Sequence, residues 1–175
     1  MKHIPLVLAA LAATLSTVGA QNLLQIADPG FETLPESGMA LFKSPEAEDA
    51  LEVKIVEEGA MDGAGCLEIS LPVAGYASVS FPLERSTDTA SLRIAYKGEL
   101  EEGSDVNIGI QSYKMENGFE SVDFRPLFAS SQITGSWQVH KQLIQRAEGG
   151  THWQLSIGIK GPAKVWIDGL EIEGQ

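Results

Sequence analysis

In the run 106–113, Asn107, Gln111 and Tyr113 fall on one wall, while Val106, Ile108 and Ile110 fall on the other. Two amides and an aromatic ring therefore share the side that faces away from the apolar positions. A ring stacks on apolar faces and amides exchange hydrogen bonds with polar groups, which together makes a candidate ligand-binding wall. Arg93 and Gln154 occupy the equivalent polar positions of the neighbouring runs 92–96 and 153–159, and are expected on the same wall. The simpler reading of Tyr113 is a cross-strand contact with Phe119. Trp166 alternates with Val165 and Ile167 and is a secondary stacking candidate. Trp137 and Trp153 start strands in phase with apolar residues and are expected in the core. Tyr76, Phe124 and Phe128 are read first as ordinary packing, and second as cleft residues carried on loops.

Bond-making chemistry finds no matching pattern. The sequence has no G-x-S-x-G elbow, no H-E-x-x-H pair and no C-x-x-C pair. After residue 20 the only histidines are His140, expected to face outward beside Val139, and His152, which follows the Gly149-Gly150 turn signal. Gly63-Ala64-Gly65 lacks the further glycine and the helix of a phosphate cradle. A glycosidase needs only two carboxylates roughly 5–9.5 Å apart, and with 24 acidic residues a small polysaccharide hydrolase or lyase stays an alternative, with no pair singled out. The primary expectation is a chain that is not an enzyme.

Twelve Lys and Arg against 24 Asp and Glu give a formal net charge of -12. Phosphate backbones are bound by clustered cations, so nucleic acid is excluded as a partner. Lys2, the apolar stretch from Ile4 to Val18 and the small residues Val18-Gly19-Ala20 read as an export signal, with cleavage expected before Gln21. The stretch falls short of the ~20 apolar residues of a spanning helix, so no stable membrane anchor is expected, and the chain is placed in the periplasm or outside the cell. Removing residues 1–20 leaves 155 of the 175, enough for one domain that buries about 68–70% of its unfolded surface without a disulfide. The single cysteine, Cys66, precedes Leu67 and Ile69 and is expected in or near the core.

From Leu51 onward, short β-branched, aromatic and aliphatic runs are broken by Gly, Pro, Asn or Asp every ~8–12 residues, the spacing of an all-β domain. Strands are expected near 23–27, 39–43, 51–57, 65–71, 76–82, 90–98, 105–115, 119–125, 137–144, 152–160 and 164–173. So many strands demand two packed sheets or a barrel. Asn117-Gly118 suits a tight hairpin turn. Gly149-Gly150 and Gly161-Pro162 separate the last three runs, which are expected to form a meander.

Three segments carry a resemblance that spans residues 21–175. Asn22-Leu23-Leu24 with Asp28-Pro29-Gly30-Phe31-Glu32, then Gly135-Ser136-Trp137-Gln138, then the run from Lys164 to Ile172 resemble the opening, tryptophan-led and closing segments of galactose-binding-like carbohydrate-binding modules, especially families four, nine and twenty-two. Asp28 stands where Asn is usual and Gly169 where a second Asp is common. The resemblance implies an antiparallel β-sandwich of jelly-roll topology and a glycan or polysaccharide ligand. It also implies a structural calcium ion held by Glu32 and Asp168, calcium taking six to eight oxygen ligands. The alternative within the same fold is a structural domain that binds a protein partner and has no sugar site.

Overall fold

The computed structural model describes residues 21–57 and 59–175, so the expected export signal at residues 1–20 lies outside the described residues. The chain forms strands β1 (Ala40–Lys43), β2 (Glu52–Val56), β3 (Cys66–Pro82), β4 (Thr89–Leu100), β5 (Asp105–Lys114), β6 (Glu120–Pro126), β7 (Gln138–Gln145) and β8 (His152–Gly174). Short 3-10 turns at Pro45–Ala47 and Ser130–Gln132 are the only helical elements among the described residues. No helix among them is long and apolar enough to cross a membrane.

The strands make two antiparallel layers because β3 and β8 are long enough to serve both. In the front sheet β1 pairs with residues 77–80 of β3, residues 75–82 of β3 pair with 154–161 of β8, β8 pairs with β5, and β5 with β6. In the back sheet β2 pairs with residues 66–70 of β3, residues 67–71 of β3 pair with 163–167 of β8, β8 pairs with β4, and β4 with β7. Period-two alternation turns one wall of each sheet inward. Leu67, Ile69, Val79 and Phe81 from β3, Ile94 from β4, Ile108 from β5 and Trp153, Leu155, Ile157 and Ile167 from β8 fill the space between, all fully buried. Each such aliphatic side chain withdrawn from water contributes ~1.5–3 kcal/mol, which is what holds the layers together. Cys66 is also fully buried, on the Glu68 wall of β3 rather than between the sheets, and burial pushes its thiol pKa up.

The ends of the described chain meet. Asn22 bridges Glu173, the Leu23 amide donates to the Ile172 carbonyl at 2.8 Å, and the Gly174 amide donates to Gln21 at 2.9 Å. The run expected as a strand at 23–27 is reduced to such isolated bridges. Phe31 follows in a left-handed conformation (φ 56°) that drops its ring into the core, 5.9 Å from Phe81.

Other expectations change as well. The runs 65–71 and 76–82 are one strand, as are 152–160 and 164–173. Gly161-Pro162 is therefore no turn: β8 crosses there from the front sheet to the back. The last three runs form no meander, since β7 pairs with β4 and not with β8. His140 pairs with Ile94 and packs its ring 5.3 Å from Phe128, on the inner wall, while Val139 is the exposed neighbour. Trp153 is buried as expected, but Trp137 is only half-buried and lies on the outside of the back sheet.

Candidate functional site

A groove of 670 Å³ crosses the outer wall of the front sheet. Its floor follows from register. Ser80 lies opposite Ser156, which lies opposite Gly109; Ser78 lies opposite Gly158, which lies opposite Asn107; Gln154 lies opposite Gln111. In residues 76–82, Ala77, Val79 and Phe81 point into the core, which leaves Tyr76, Ser78 and Ser80 on the groove side. The four inter-strand steps from β1 to β6 span roughly 19 Å at ~4.8 Å each.

Aromatic rings stand at both ends. Phe42 on β1 is 59% exposed, with its ring 6.1 Å from that of Tyr76. Phe124 on β6 and Phe119 before it flank the other end, both exposed. Two of these rings lie across the floor because the strands beneath them carry glycine. A Cβ at Gly158 would come within 2.8 Å of the Tyr76 hydroxyl, and one at Gly109 within 2.5 Å of Phe124 Cζ. Between the rings the floor is polar and hydrogen-bonded. Gln154 Nε2 donates to Gln111 Oε1 (2.8 Å) and to Ser80 Oγ (3.3 Å), and Ser80 Oγ donates to Ser156 Oγ (3.3 Å). At the rim Asn107 Nδ2 donates to Asp105 Oδ2 at 2.8 Å. None of the residues lining the groove carries a charged side chain.

Asn107, Gln111 and Gln154 thus come together in this groove. Tyr113 is on the same wall, but it lies between Phe119 (centroids 4.9 Å apart) and His152 (5.3 Å) and is 9% exposed. Burial raises its hydroxyl pKa, with Arg85 opposing, and Tyr113 offers no open ring face. The same stack lowers the pKa of His152, chiefly by desolvation and then by Arg85 and Arg146. Tyr76 and Phe124, read from sequence as packing, are the rings that face the groove. The usable signal was the pair of glycines at outward positions of two apolar-alternating strands, each leaving room for a ring from another strand.

Arg93 and Trp166 belong to the back sheet. Arg93 donates to the Gly169 carbonyl (2.8 Å) and pairs with Asp62 (3.1 Å) and Glu171 (3.6 Å). Lys54, Glu68, Trp166 and Lys97 form one cross-strand row there. Trp166 Nε1 donates to Glu68 (2.9 Å), and the Lys97 ammonium lies 5.0 Å from the Trp166 ring centre and 4.8 Å from that of Trp137. The cation–π contacts fill the space between the two indoles.

Glu32 and Asp168, from the first and last segments, both reach the loop that leads into β3. Asp168 is fully buried; its Oδ2 accepts from the Met61 (2.7 Å) and Asp62 (2.9 Å) amides, and its Oδ1 from Gly169 (2.6 Å). Glu32 accepts from the Ala64 amide at 2.9 Å. Both carboxylates therefore accept amide hydrogen bonds from the segment 61–64, and no group of three or more His, Cys, Asp or Glu is gathered for a metal among the described residues. As placed, the two side chains form a hydrogen-bonded clamp on residues 61–64.

Two five-stranded antiparallel layers sharing β3 and β8 make a β-sandwich of the jelly-roll class seen in carbohydrate-binding modules. The chain is similar over 89% of its length to the whole (100%) of TmCBM61, solved in complex with β-1,4-galactotriose, at 18% identity and a TM-score of 0.57. It is similar over 82% of its length to 90% of the CBM22-1 xylan-binding domain from Paenibacillus barcinonensis Xyn10C, at 16% identity and 0.57. A further likeness, at 9% identity and 0.61, joins 86% of this chain to 21% of the enzymatically active domain of bacteriophage CBA120 tailspike protein 4. At these identities the likeness is one of fold. No protein-family model and no curated protein matches the sequence.

Proposed function

We propose that this chain is an exported, non-catalytic module that binds a glycan chain along the groove of the front sheet. The observation that carries the proposal is the pairing of two rings laid over glycines, Tyr76 on Gly158 and Phe124 on Gly109, with an uncharged amide and hydroxyl floor between them. Ring faces cover the apolar faces of sugars, and the amides and serines exchange hydrogen bonds with hydroxyls. Modules of the same fold solved with β-1,4-galactotriose or named as xylan-binding supply the first ligands to test. A non-catalytic role is supported by the lining of the groove, which presents no acidic side chain to act as the carboxylate pair of a glycosidase.

Titration calorimetry with soluble xylan and β-1,4-galactan tests the proposal. Binding is expected, and Tyr76→Ala and Phe124→Ala should each weaken it about tenfold, the loss of ~1.4 kcal/mol of stacking. Full affinity in both variants would remove the groove from consideration. Reducing ends released on prolonged incubation would overturn the non-catalytic reading.

The expectation of calcium at Glu32 and Asp168 has its own test. The clamp reading predicts an unfolding midpoint unchanged by calcium or a chelator. A midpoint that rises with calcium would mean that the peptides at 61–64 turn their carbonyl oxygens toward an ion.

A further inference from the structure

Three polar side chains at the centre of the groove are more than nine-tenths buried: Ser80 (6% exposed), Ser156 (7%) and Gln154 (8%). Their hydrogen bonds can be counted in full. The amide of Gln154 spends its donors on Gln111 and Ser80, and Ser80 spends its one proton on Ser156. Two groups are left over within this chain of bonds, the Gln154 Oε1 acceptor and the Ser156 hydroxyl proton. Gln154 Oε1 is not sealed away, since no buried side-chain polar atom of the described residues lacks a partner, and Ser156 lines the groove. Both therefore open into the groove. They come from the same wall of β8, two residues apart, on the strand at the middle of the front sheet.

We infer that Gln154 and Ser156 read adjacent unsubstituted hydroxyls on one ring of a neutral sugar chain, a specificity that rests on the groove being the glycan site. One hydroxyl donates to Gln154 Oε1 and its neighbour accepts from Ser156. Ser80 and Gln111 position the pair, because they fix the amide of Gln154 with its carbonyl oxygen free. A carboxylate or sulfate at the same place would meet an acceptor oxygen, no lining cation, and the field of a chain with net charge -12. An acyl group on the hydroxyl that donates to Gln154 would remove the proton it gives, and one on its neighbour would add bulk beside Ser156.

The experiment compares the mature chain, Ser156→Ala, Gln154→Ala and Phe124→Ala against deacetylated xylan, acetylated xylan, β-1,4-galactan and polygalacturonate, with the unfolding midpoint recorded for each variant. The expected result is binding of at least one neutral glycan and none of polygalacturonate. Acetylated xylan should bind more weakly than deacetylated xylan if xylan is bound. Ser156→Ala and Gln154→Ala should lose about tenfold or more in affinity at a midpoint within a few degrees of the parent. Ser156→Ala removes one oxygen only, and so keeps the test open if Gln154→Ala fails to fold. Equal binding of polygalacturonate, or full affinity in Ser156→Ala and Gln154→Ala while Phe124→Ala loses it, would overturn the inference and leave the groove as the glycan site. No binding to any of the four glycans would overturn both.

Discussion

Tyr76 and Phe124 lie down across neighbouring strands only because Gly158 and Gly109 leave them room. At Gly109 an added Cβ would meet the Phe124 ring and, at 2.6 Å, the Arg125 carbonyl. Gly109→Val should therefore lift the ring off the floor and destabilise the fold by about 1–3 kcal/mol, readable as lost glycan affinity together with a lower denaturation midpoint. Tyr113 shows the opposite case, a ring on the groove wall closed by its neighbours. His152 stacks on it, and burial first, then Arg85 and Arg146, hold the His152 pKa below the usual 6.5. The unfolded chain then takes up the proton more readily than the folded one. The stability that His152 contributes is present above about pH 6.5 and is lost as pH falls through its lower folded value. His152→Gln should flatten the fall in denaturation midpoint on acidification below pH 6.5; an unchanged slope would place that pH dependence elsewhere. Alternation alone located Asn107, Gln111 and Gln154, because one wall of an amphipathic strand can be read locally. It could not show that Phe119 and His152 cover Tyr113, a fact of tertiary packing.

At the scale of the strands, β3 and β8 decide the architecture. Each runs through both layers, and the ladder between them slips between Leu71 and Gly75, where the pair changes sheets. Gly161 sits at the matching point of β8, and a Cβ there would fall within 2.5 Å of the Val73 carbonyl and closer still to Leu71. Gly161→Val is expected to cost about 2 kcal/mol or more in denaturant unfolding, with the groove residues themselves untouched. The individual runs were legible because each keeps a period of two. Their fusion was not, since Gly161-Pro162 has the composition of a turn, and only the bent partner at 71–75 shows that the strand continues. The wall assigned to His140 was misread for a related reason. On the edge strand β7 it is Val139 and Leu143 that face outward, so the apolar residue marks the exposed side.

Across the whole molecule the first and last segments both fasten to the loop at 61–64, Glu32 from the surface and Asp168 from a fully buried position. Asp168 keeps its carboxylate in the interior on three amide donors, from Met61, Asp62 and Gly169. Asp168→Ala would leave those N–H groups without their acceptor and should destabilise the chain by about 2–4 kcal/mol, measurable by denaturant unfolding. The two acids that close this clamp were found from the resemblance of the end segments, whereas the amides that satisfy them could be seen only in the fold. The central claim is that a sugar chain lies across the front sheet, and the most direct measurement is amide and side-chain chemical-shift mapping while xylan or galactan oligosaccharides are added. Shifts should concentrate at Phe42, Tyr76, Ser80, Gln111, Phe124, Gln154 and Ser156. Shifts centred on Trp137 and Trp166 of the back sheet, or none at saturating sugar, would contradict it.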